Sequence, residues 1–199
     1  MGKASISMVS KRKRIALILS VVLIVSATAT GCSPSEAAAG GPDAAPVDIG
    51  SPGVGPEDGY IESKDLSPFA NDAPAIANLD PALREAVQQA ASDAMGDGID
   101  FVVTSGWRSA FYQQTLLDDA VKNYGSAEAA GEFVLGPTES KHVTGDAIDI
   151  GPTDADSWLG QYGSHYGLCQ IYANEMWHFE LATPPGGQCP EQLSDASAG

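Results

Sequence analysis

Leu83, Val87, Ala90, Ala91 and Ala94 return at three- and four-residue intervals, the period of one face of an α-helix. Asp80-Pro81 ahead of the run is a start signal: an acceptor side chain for open N–H groups, then Pro at the first helical position. Gly96 to Gly98 ends the run. Ser109 to Tyr124 predicts a second helix with Tyr112, Leu116, Ala120 and Tyr124 on one face, Ala127 to Phe133 a third, and Ser157 to Tyr162 a helical turn. Ile99 to Thr104, β-branched and aromatic, predicts a strand. Ala147 to Ile150 predicts a central one, in which Asp149 points away from the face shared by Ile148 and Ile150. Gln170 to Tyr172 and Trp177 to Leu181 predict two strands paired around a turn at Ala173-Asn174. The sum is an α+β fold: a small antiparallel sheet with helices packed on one side, over residues 76–190.

Outside this domain the pattern changes. Lys11, Arg12, Lys13 and Arg14 precede the apolar run Ile15 to Val25, and small residues lead to Gly31-Cys32. This predicts a secretory signal over residues 1–31, its apolar part short of the roughly 20 residues of a membrane-spanning helix. Ala29-Thr30-Gly31-Cys32 resembles a bacterial lipobox, which implies lipid modification of Cys32 and an N-terminal membrane anchor. An uncleaved anchor is the alternative, and both place the domain outside the cytoplasm. Residues 32–75, with Pro34, Pro42, Pro46, Pro52 and Pro56, predict a flexible tether whose Tyr60, Ile61, Leu66 and Phe69 pack on the domain as an arm. Residues 191–199 read as a loose tail.

Export changes the reading of the cysteines and of the charge. With Cys32 assigned to lipid, Cys169 and Cys189 remain and predict a disulfide in an oxidising compartment; two unrelated thiols are the alternative. The net charge of −16 becomes −21 once the five basic side chains before Cys32 are removed. Such a surface excludes nucleic acid as a partner. Arg108 and Lys141 stand out against it.

The chemistry lies in two segments, Ser140-Lys141-His142-Val143-Thr144-Gly145-Asp146-Ala147-Ile148-Asp149 and Glu175-Met176-Trp177-His178. His142, Asp149 and His178 are the donor types that a catalytic Zn2+ takes when its fourth position stays open to water. Asp149, on the face away from the core, needs a partner such as a cation. Glu175, three residues before His178, is placed to serve as general base. Glu180 reads as a partner for a ligand histidine or as an exposed side chain. His165 fits no motif.

Ser-x-His-x3-Gly-x-Ala-x-Asp followed by Glu-x2-His resembles the VanY-type D-alanyl-D-alanine carboxypeptidases of the LAS group of zinc peptidases. Ser105-Gly106-Trp107-Arg108-Ser109 resembles their Ser-Gly-Tyr-Arg-Ser element, and the likeness runs from about Leu79 to Leu181. The resemblance implies a zinc site on the sheet of a hedgehog- and D,D-peptidase-like fold. It gives Arg108 to the oxyanion, and Ser140 and Gln113 to substrate. It further implies one Zn2+ per chain and a monomer that removes terminal D-Ala from peptidoglycan stem peptides through zinc-activated water. An L,D-carboxypeptidase, a peptidoglycan endopeptidase and a non-catalytic zinc-containing cell-wall-binding lipoprotein share such motifs. Glu175 and Arg108 together favour an enzyme.

Overall fold

Four short strands, β1 (Val102–Ser105), β2 (Ala147–Gly151), β3 (Leu168–Gln170) and β4 (His178–Leu181), form one antiparallel sheet in the order β1-β2-β4-β3. The computed structural model describes residues 53–199, so the signal segment and Cys32 lie outside the described residues. Six helices accompany the sheet there: α1 (Pro74–Ala77), α2 (Pro81–Gly96), α3 (Ala110–Tyr124), α4 (Ala127–Gly131), α5 (Lys141–Thr144) and α6 (Thr153–Tyr162). None of the described helices is long and apolar enough to cross a membrane.

Alternation along the strands divides the sheet into two faces. Val103, Ile148, Ile150, Leu168 and Phe179 join Leu83, Val87 and the alanines of α2, with Trp158 and Leu159 of α6, in one core. Full burial of each large side chain contributes on the order of 1.5–3 kcal/mol. The opposite face carries Asp149 and His178. The start of α2 follows from its sequence: the Asp80 carboxylate accepts from the backbone N–H of Ala82 (2.8 Å) and Leu83 (3.2 Å), a cap that stabilises by about 1 kcal/mol.

Several elements depart from their sequence reading for local reasons. The first strand begins at Val102 because the N–H of Ile99 turns back to the carbonyl of Ala94 (2.9 Å) and closes α2. The expected inward face of α3 stops at Ala120; Tyr124 is exposed and stacks on Phe133. The short third helix ends at Gly131. Helix α6 begins already at Thr153, directly after Pro152, and buries Ala155, Trp158 and Leu159. It is Leu168–Gln170, not Gln170–Tyr172, that pairs with β4, while Tyr172 forms a parallel bridge with Leu193.

The chain is packed beyond both proposed ends of the domain. From residue 53 it lies against the domain as the expected arm: Ile61 and Leu66 pack against the core, Tyr60 meets Tyr112 edge-on, and Asp58 binds Ser109 through its backbone carbonyl (2.8 Å) and carboxylate (2.7 Å). Phe69, expected to pack, is exposed. The expected loose tail is ordered, with Ala196 buried in a short 3-10 turn, Ala196–Ala198. Cys169 and Cys189 are joined as a disulfide.

Candidate active site

Strand register places the site. Asp149 on β2 lies opposite His178 of β4 on one side and Ser105 of β1 on the other, and cross-strand neighbours share a face. A bulge between Val103 and Ser105 breaks the β1 ladder. The chain then turns at Gly106, where a β-carbon would run into the carbonyl of Ala75. The N–H of Arg108 donates to the carbonyl of His142 (3.1 Å). His142 comes from the one-turn helix α5, which ends at Gly145 with φ +80°. A β-carbon there would lie 2.5 Å from the carbonyl oxygen of Asn78, so glycine alone lets the chain return into β2.

One ligand atom each from His142, Asp149 and His178 lies within 4.8 Å of the others, and all three residues are buried. Asp149 Oδ1 is 3.4 Å from His142 Nε2 and 3.1 Å from His178 Nδ1. Nδ1 of His142 stands 2.8 Å from the carbonyl of Gly106, which can only accept, so Nδ1 carries the proton and Nε2 presents a lone pair. Nε2 of His178 is likewise engaged by Glu180 at 3.1 Å, leaving Nδ1 toward Asp149. Glu180 is thus the histidine partner that its sequence position suggested. Two lone pairs and a carboxylate oxygen converging at this distance call for a cation.

The electrostatics agree. Burial and the nearby Arg108 guanidinium lower the pKa of His142, against the pull of Asp149. Burial works to raise that of Asp149, yet the two imidazoles hold it well below the usual carboxylate range. Burial would lower His178, but hydrogen bonds to Asp149 and Glu180 prevail and lift it to about 9. The carboxylates of Asp149 and Glu180 thus favour positive charge at His178, as a proton or, once Nδ1 has lost that proton, as a bound cation. A zinc ion suits this donor set.

Glu175 stands at the edge of the cluster, its Oε2 3.8 Å from His178 Nδ1 and its buried Oε1 without a hydrogen-bond partner. Burial first, then the charge of Asp149, raises its pKa to about 7 despite His178 and Arg108. Arg108 is held on three sides: Nε to Ser105 Oγ (2.7 Å), Nη1 to Gln113 Oε1 (3.0 Å) and Nη2 to Asp149 Oδ2 (3.0 Å).

Gln113 was expected to meet substrate. It lines the same cavity, where its oxygen accepts from Arg108 and its amide nitrogen donates to the carbonyl of Leu135 (2.7 Å), which holds the guanidinium in place. Ser140 lines the cavity, and its hydroxyl does not cap α5. Trp107 ties its indole N–H to the carbonyl of Val143 (3.1 Å), and Trp177 lines the cavity wall. His165 is exposed and stands against Tyr162, away from the site. Tyr172, Leu135 and Ala196 also line the cavity, and no local sequence pattern marked them.

A family profile described as VanY, D-alanyl-D-alanine carboxypeptidase, matches residues 76–184. A D-alanyl-D-alanine carboxypeptidase of Enterococcus faecalis (strain ATCC 700802 / V583) is 31% identical in a match covering 43% of this chain and 41% of the relative. The chain thus spans about two-fifths of the length of that curated relative. Among solved structures, a point mutant of a vancomycin resistance D,D-pentapeptidase VanY from a VanB-type cassette, in complex with Zn(II), is similar at 25% identity. That match covers 51% of this chain and 71% of the other, with a TM-score of 0.49. VanYB in complex with D-alanine-D-alanine is similar at 27% identity, over 51% of this chain and 70% of that one, with a TM-score of 0.48.

Proposed function

The chain belongs to the VanY D-alanyl-D-alanine carboxypeptidase family, and from that membership we propose that it is a zinc-dependent peptidase releasing terminal D-Ala from peptidoglycan stem peptides. The observation that carries the reading is the buried His142, Asp149 and His178 set with the unpartnered Glu175 oxygen beside it. Nε2 of His142, the carboxylate of Asp149 and Nδ1 of His178 would hold the ion. When bound, zinc supplies a Lewis acid for water and for the scissile carbonyl.

The chain's own groups account for the rest. Glu175, with a pKa raised to about 7, takes the proton of the attacking water and returns it to the departing amine, work best done by a group that titrates near the operating pH. Arg108, fixed by Ser105, Gln113 and Asp149, meets the charge developing on the carbonyl oxygen. A preorganised donor of this kind contributes about 3–4 kcal/mol to the transition state. The Ser140 hydroxyl, at the cavity wall, hydrogen-bonds the substrate backbone. The signal-type N-terminus and the Cys169–Cys189 bridge support action outside the cytoplasm, with Cys32 as the lipid anchor.

The test combines metal and reaction. Zinc in the purified protein is measured by elemental analysis, and D-Ala release from a stem pentapeptide is followed with and without chelator. One zinc per chain and chelator-sensitive release of D-Ala is the expected result. Zinc without D-Ala release, or cleavage at another bond of the stem, would overturn the proposed specificity.

A further inference from the structure

The family match stops at residue 184, yet the chain beyond it returns to the site. The Cys189–Cys169 bridge fastens it to β3. Leu193 then pairs with the segment that leads into Glu175: the N–H of Ala173 donates to its carbonyl (2.8 Å), and its own N–H donates to the carbonyl of Ile171 (2.9 Å). Asp195 caps the last turn by accepting from the N–H of Ser197 (2.9 Å). The carbonyl of Glu132, at the end of α4, accepts both the side-chain amide of Asn174 (3.0 Å) and the N–H of Ala196 (3.4 Å). Three segments therefore meet at one oxygen: the α4 end, the loop carrying Glu175, and the C-terminal strap.

The strap places Ala196, 5% exposed, in the wall of the cavity that holds the metal set. Leu116, Phe133, Val134, Leu135 and Tyr172 supply apolar lining to the same cavity. Ala196 cannot withdraw without breaking the Leu193 pairing or the bond to Glu132. We propose that Ala196 is a specificity-determining residue of this site: its methyl group sets the room left for the substrate residue bound beside it, restricting that residue to an alanine-sized side chain. The inference rests on the stem-peptide reading above and deepens it, because the small wall residue matches a substrate that ends in two alanines.

The experiment uses full-length Ala196→Gly and Ala196→Leu, with stem pentapeptides ending in D-Ala-D-Ala and analogues carrying D-Val or D-Leu at either of the last two positions. Zinc content and melting temperature are recorded for each protein. One methylene in an apolar pocket changes discrimination by about tenfold or more. Ala196→Leu should therefore raise KM for the D-Ala-D-Ala peptide by about tenfold with a smaller change in kcat. Ala196→Gly, which keeps the strap and adds space, should shift kcat/KM toward a bulkier analogue by about fivefold to tenfold. Wild-type selectivity in Ala196→Gly overturns the proposal, even where Ala196→Leu loses activity through a lowered melting temperature. A wild-type protein that releases no D-Ala overturns the stem-peptide reading, and this inference with it. D-Ala release by the wild type with indifferent variants overturns this inference alone.

Discussion

Asp156 gives the sharpest test of the electrostatic reasoning. It sits on α6, 6% exposed, with a buried Oδ1 that has no hydrogen-bond partner. Burial, and then the charges of Asp149 and Asp154, raise its pKa from 3.8 to about 7. Between those values the folded chain holds a proton that the unfolded chain has released, so the stability it contributes is fully present below about pH 4 and is lost as pH rises through about 7. At about 1.4 kcal/mol per unit the full cost of ionisation is roughly 4 kcal/mol. Halved for screening by nearby solvent, it is about 2 kcal/mol. Asp156→Asn removes the charge and nearly keeps the shape. Its advantage over the wild type should grow from near zero at about pH 4 to about 2 kcal/mol at about pH 8.5. In a domain of this size that corresponds to roughly 5 °C in melting temperature. Thermal or urea unfolding of both proteins across this range is the assay. A difference that stays constant with pH, or grows toward acid, would refute the assignment of a buried, protonated carboxyl.

The catalytic roles are separable by metal content. Glu175→Ala should retain zinc and lose at least about a hundredfold in kcat; near-wild-type turnover would remove Glu175 from the role of base. His142→Ala should lose metal and activity together, and stoichiometric zinc in that variant would break the ligand assignment. Replacing Cys169 and Cys189 by Ser opens a loop spanning 20 positions, and should cost about 3 kcal/mol in urea unfolding; unchanged stability would show that the bridge adds nothing to the fold.

The parts of the site that follow from local pattern were legible in the sequence. Asp149 between Ile148 and Ile150 declared its face, because a strand has no other way to place three such residues. Asp80-Pro81 declared the start of α2 through capping chemistry that needs no distant partner. His178 and Glu175 were legible as a close pair. What the sequence withheld depends on contacts between distant segments. Gln113 looks like a free polar group until Arg108 and the carbonyl of Leu135 are set at its two ends. Leu168–Gln170 and Gln170–Tyr172 are similar runs, and the choice between them is made by pairing with β4 on one side and by Leu193 on the other. The strap around Ala196 has the composition of a solvated tail, and three backbone hydrogen bonds to remote carbonyls and amides hold it in place.

Strand β2 belongs to both halves of the molecule: Ile148 and Ile150 look into the core, while Asp149, between them, looks into the site. A slip of one residue against β4 would exchange these roles, driving a carboxylate among Phe179 and Leu159 and an isoleucine between the histidines. A sheet slipped by one residue therefore cannot gather the three donors. Assembly of the donor triad proofreads the fold against that slip, and a chain that has brought His142, Asp149 and His178 together has put Asp149 on the correct face.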